Sequence, residues 1–168
     1  NPTIISSKIN QEILQIHIKI GDNVKKNDLL FTLNSKDIFR DIKQISAELK
    51  YKVQTLNFLN KQLSLRTSKL SNAKNLHKQN IITQDNLDNV NITLLQNQQQ
   101  IAQTRYNIKR LKILLEKNKE DLSLSKIKSP VNGNIISIDA KTGAITTRGQ
   151  ILASIVGNGS NEIETDLR

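Results

Sequence analysis

Residues able to do acid–base or metal chemistry are sparse in this chain. His17 sits in a run that alternates polar and apolar residues, and His77 falls on a helical seam. Neither has a second ligand or a nucleophile at a spacing that would build a metal site or a catalytic triad. Glu116 and Glu120 are four apart on a helical stretch and read as a solvated face. There is no cysteine, which excludes disulfides, thiolate zinc sites and thiol nucleophiles. Gly157-Asn158-Gly159-Ser160 is glycine-rich, but no helix follows it, so it reads as a linker and not a phosphate loop. No catalytic residue, cofactor or metal is expected, and function must come from surfaces.

A net charge of +10 invites a polyanion as partner. The basic residues are nevertheless spread over the whole length. The few aromatics (Phe31, Phe39, Tyr51, Phe58 and Tyr106) sit in no glycine-rich or basic cluster where bases could stack. A basic nucleic-acid-binding coiled coil therefore stands only as the weakest of three readings, and no nucleic-acid partner is expected.

The elements that position these residues follow from punctuation. Pro2 and Gly21 lie near the start, Pro130 and the remaining glycines near the end, and neither residue type occurs from Asp22 to Ser129. A stretch of that length rich in Leu, Lys, Gln and Ile predicts very long helices. Steps of four and three through Ile38, Ile42, Ile45, Leu49, Leu56, Leu59, Leu63 and Leu70 trace one heptad seam. Val90, Leu94, Ile101, Ile108, Leu111, Leu115 and Leu122 trace a second. Between them the pattern breaks at residues 79–83, where Thr83 is a good N-cap and Asp85 places an acid in the next first turn. The seams pair as Leu49 with Leu115, Leu56 with Ile108, Leu63 with Ile101 and Leu70 with Leu94. The same register puts Arg66 across from Asn97 as a polar layer.

The flanks repeat. Sliding the chain by 122 positions lays Glu12 to Leu33 over Asn134 to Ile155 without a gap. Ile13/Ile135, Ile16/Ile138, Lys19/Lys141, Gly21/Gly143 and Leu30/Leu152 coincide. Each copy reads as an alternating strand, a glycine turn, a polar link and a second strand. Neither can bury its apolar side alone, so the two are expected to pack face to face about a pseudo-twofold axis.

Ile13 to Leu33, with Gly21-Asp22, Val24-Lys25-Lys26 and Asp28-Leu29-Leu30, resembles the first lipoyl half-motif of periplasmic adaptors, the membrane fusion proteins of the HlyD-like superfamily. Lys128-Ser129-Pro130-Val131-Asn132-Gly133-Asn134-Ile135 is similar to the opening of the second half, and Gly143 to Leu152 to its continuation. The resemblance covers nearly the whole chain and implies an α+β fold in which a long antiparallel α-helical hairpin is inserted between the two halves of a lipoyl-like β-sandwich. The boundaries expected are 3–34 plus 126–157 for the β domain, 35–125 for the hairpin with its tip near 79–83, and 158–168 for the start of a β-barrel domain. Gln11 and Asn27 stand where the family usually has glycine, so the turns there are expected to be wider or strained. Lipoyl carriers display a modifiable lysine on the turn that the hairpin replaces here, so Lys126 and Lys128 read as strand-entry lysines.

By resemblance, the protein links an inner-membrane exporter, of the ABC type, to a TolC-type outer-membrane channel in tripartite efflux or type I secretion. It would act in the periplasm as a homo-oligomer, trimer or hexamer, anchored to the inner membrane through a segment outside this chain. The alternative is a coiled-coil spacer of the cell envelope without an outer-membrane channel. Leu76 sits at the leucine place of the family's channel-binding tip, Thr83 at the serine place and Asp88 at a frequent acid, while Asn72 replaces the usual arginine. With the adjacent apolar pair Ile81 and Ile82, these residues form the expected partner-binding end.

Overall fold

The computed structural model describes residues 1–157, so the expected start of a β-barrel domain at 158–168 lies outside the described residues. The chain runs β1 (Thr3–Ser6), β2 (Ile13–Ile16), β3 (Asn23–Val24), β4 (Leu29–Leu33), α1 (Lys36–Lys78), α2 (Gln84–Leu124), β5 (Lys126–Lys128), β6 (Gly133–Ile138) and β7 (Ile151–Gly157). It divides into two units. One comprises Asn1–Arg40 with Asn118–Arg168, described as far as residue 157, and the other comprises Asp41–Lys117.

In the first unit two antiparallel sheets have strand orders β1-β7-β6-β3 and β2-β4-β5. Strands are exchanged between the repeats: β1 and β3 of the first copy join β7 and β6 of the second, and β5 of the second joins β4 of the first. The twofold relation is written into single hydrogen bonds. Gly21 N donates to Ile135 O at 2.8 Å, and Gly143 N donates to Ile13 O at 2.8 Å. Asn27 N reaches Ser129 O, as Gly149 N reaches Ser7 O, each at 2.7 Å. Each member of a pair maps onto the other by the 122-position shift. The exchange gives both copies a shared core, in which Ile13, Leu30, Phe31, Leu33, Ile135, Leu152 and Ile155 are almost wholly buried. Ile16 and Ile138 pack against that core together.

The turn at Asn27 is strained, as expected, but not widened. Its backbone takes φ 75°, in the left-handed region, where Gly149 has φ 87°. The hydrogen bond of Asp28 N to Lys25 O (3.0 Å) reproduces that of Gln150 N to Thr147 O (3.0 Å), so the turn is no wider than its glycine counterpart. Asparagine tolerates this region better than other side chains do. Gln11 keeps φ outside it and is held instead by Thr146, whose N–H donates to Gln11 O. Thr146 is fully buried.

In the second unit α1 and α2, of 43 and 41 residues, run antiparallel. Leu59 and Leu70 on α1, and Leu94, Asn97, Ile101, Thr104, Ile108 and Leu111 on α2, are buried. Leu49, Leu56, Leu63 and Leu115 are half-buried. The polar layer differs from the expected one. Asn97 Nδ2 donates to Gln62 Oε1 (3.3 Å) and Leu59 O (3.4 Å), while Arg66 Nη1 donates to Thr93 O (2.9 Å). Gln62 and Thr93 are one helical turn, and Leu59 two turns, from the Arg66–Asn97 pairing. Heptad leucines cannot discriminate here, because a one-turn slip still sets apolar residues against apolar residues. Polar groups can: Asn97 is buried beside a carbonyl that accepts from its amide, whereas the guanidinium of Arg66 stays partly in water.

Candidate functional site at the hairpin tip

The end of α1 is closed by hydrogen bonds that its own residues supply. Asn80 takes φ 58°, Asn80 N donates to His77 O (2.9 Å) and Ile81 N donates to Leu76 O (2.9 Å). This pair of reverse bonds around a left-handed residue is the Schellman C-cap. Asn80 was not singled out from the sequence. The signal was there, in an asparagine two residues beyond the last helical position.

The start of α2 is capped as expected. Thr83 Oγ1 accepts from Asn86 N (3.3 Å), and Thr83 O accepts from Leu87 N (3.2 Å). Gln84 Nε2 donates to Asp88 Oδ1 (2.8 Å), so Asp88 is oriented from within its own helix. The two caps are tied together by His77, whose Nδ1 lies 3.2 Å from Ile82 O. A carbonyl only accepts, so that nitrogen carries the proton. The second histidine, His17, contacts Thr32 Oγ1 through Nε2 at 2.8 Å on an exposed strand face. Neither ring belongs to a ligand cluster, and among the described residues no group of three or more His, Asp or Glu could hold a metal ion.

What the closed tip displays is apolar. Ile81 is 62% exposed and Leu76 39%, while Ile82 is half-buried against the loop. The expected side-by-side apolar pair is therefore one exposed isoleucine backed by an anchored one. Thr83 and Asp88 are exposed beside them. In a chain of net charge +10 no Lys or Arg occurs from Gln79 to Thr104, where the ionisable residues are Asp85 and Asp88. On the α1 side exposed Lys74 and Lys78 flank Leu76, so the tip carries both signs of charge around its apolar side chains and can bind by packing.

The family described as RND MFP, barrel-sandwich hybrid domain, matches residues 2–158. The chain belongs to this family of membrane fusion proteins, which are adaptors rather than enzymes. Macrolide export protein MacA of Yersinia pestis is 23% identical over 156 residues, covering 90% of this chain and 41% of the relative. Among solved structures, MacA from Actinobacillus actinomycetemcomitans overlays with a TM-score of 0.81 at 23% identity, covering 94% of this chain and 49% of that one. The membrane fusion protein Spr0693 from Streptococcus pneumoniae overlays at 0.63 with 16% identity, covering 94% and 63%. These likenesses establish the fold. The chain spans well under half the length of the curated relative it matches. Among the described residues no helix is long and apolar enough to cross a membrane.

Proposed function

We propose that this chain is the hairpin-bearing part of a periplasmic adaptor that couples an inner-membrane exporter to an outer-membrane channel, and that the tip makes the channel contact. The observation that carries the reading is the capped tip with Ile81 and Leu76 turned out to solvent. Capping costs α1 and α2 few unpaired backbone groups, so the apolar side chains are free for a partner. Leu76 and Ile81 insert between helices of the channel, Ile82 backs them, Thr83 caps its helix at the contact, and Asp88 makes polar contacts at the rim. The exporter is of the ABC type. The MacA relatives, named as macrolide export proteins, support the export role. The adaptor acts as a homo-oligomer by packing and without catalysis, anchored by a segment outside this chain. A photo-cross-linking residue at Ile81 in the whole protein tests the proposal. It should capture an outer-membrane channel subunit, whereas the same probe at exposed Lys61 should not. Equal capture from both positions would refute the tip contact.

A further inference from the structure

Each sheet of the β unit ends in a strand with one free edge: β1 closes one order and β5 the other. The two edges border a single groove of about 320 Å³, which Leu124 and Pro130 complete. Lys8, Lys126 and Lys128 line it and no acid does. Lysines on an edge strand discourage pairing with a like edge. Here they also specify what can pair.

We propose that the free edge of β5 is a docking site for an extended segment of another polypeptide in which acidic and apolar side chains alternate. The pattern follows from the pleat. Ile127 lies opposite fully buried Phe31, so it faces the core, where it packs against the buried cluster. Lys126 and Lys128 flank it and are exposed on the other face. A strand added to β5 places alternate side chains beside those of its neighbour. Its inward residues therefore meet Ile127 and the groove floor at Ile5, and its outward residues meet two ammonium groups. Across the groove β1 offers Ile4, 57% exposed, and no charge in its strand. One wall is cationic and the other is apolar along its strand, with Lys8 just beyond its end, which suits an alternating segment better than a uniformly acidic one. With only three residues in β5, the contact is short and its affinity modest.

Fluorescence anisotropy with the full chain and a labelled peptide Glu-Ile-Glu-Val-Glu, blocked at both ends, tests this. Saturable binding is expected, at least tenfold weaker for a peptide of the same composition in the order Glu-Glu-Glu-Ile-Val and at least tenfold weaker for the Lys126→Glu, Lys128→Glu double variant. A peptide N-methylated on the backbone amides that face β5 should also lose binding to the unaltered chain, which separates strand addition from charge attraction without any protein variant. Equal binding of the ordered and reordered peptides, or indifference to N-methylation, would overturn the proposal. So would self-association of the chain through this edge that the peptide cannot compete away.

Discussion

Asn27 and Gly149 are 122 positions apart and hold the same left-handed backbone conformation, with φ of 75° and 87°, each donating its N–H to a buried serine carbonyl of the other repeat. The conformation is thus a property of the turn and not of glycine. An L side chain in this region costs on the order of 1 kcal/mol. Asn27→Gly should raise stability by about 0.5–1 kcal/mol, while Gly149→Val should lower it by more, both read as shifts of the thermal unfolding midpoint. An unchanged midpoint for both would mean that the two turns are not equivalent.

Gly133 is required for a different reason. A Cβ there would lie 2.2 Å from Val156 O and 2.7 Å from Ile155 Cγ2, backbone and core atoms that cannot both move aside. Gly133→Ala should cost about 1–3 kcal/mol through overpacking. At Gly157, where the nearest atom to such a Cβ is 3.7 Å away, the same change should be mild. Denaturant titration of the two variants gives the comparison, and equal losses would contradict the close approach of β6 to β7.

The register of the hairpin can be read by cross-linking, because the chain has no cysteine of its own. Paired cysteines replacing Gln62 and Asn97 should link readily, and those replacing Arg66 and Asn97 poorly. Asn97 also leaves its Oδ1 buried without a partner, at a cost of about 1–3 kcal/mol. Asn97→Leu should therefore stabilise the hairpin while loosening its register, seen as a higher midpoint together with mixed cross-link products.

These contrasts show what the residues make legible. The absence of proline and glycine from Asp22 to Ser129 was enough to anticipate two helices of this length, and Thr83 announced its own cap. The gapless repeat carried the twofold relation, and with it the left-handed turn at Asn27 could have been inferred from Gly149. The partners of the polar layer were not legible, because leucines repeating every three and four residues fit themselves again after a slip. Only the hydrogen-bonding needs of Asn97 and Arg66 break that degeneracy, and these depend on geometry. Strand exchange between the repeats was equally hidden, since β1 meets β7 across nearly the whole chain. At the tip, Leu76, Thr83 and Asp88 were named from resemblance and Ile81 and Ile82 from their pairing. That Ile81 stays exposed while Ile82 is anchored depends on Asn80 and on the His77 bond to Ile82 O.

The tip caps predict a separable effect. Asn80→Val should fray the end of α1 and cost about 1–2 kcal/mol, because a β-branched side chain is poorly accommodated at φ 58°. Asn80→Gly should be neutral or slightly stabilising. Amide hydrogen exchange at Asn80 and Ile81 should rise for the valine variant and not for the glycine one.

The central claim is that the tip acts by presenting apolar side chains to a channel. Leu76→Asp in the whole protein, with its exporter and channel present, tests it most directly. Leu76 is 39% exposed, so the aspartate can reach water and the fold should survive. The account predicts unchanged helix content and thermal midpoint, with export reduced at least tenfold. Export at the unaltered level from a correctly folded Leu76→Asp protein would contradict it.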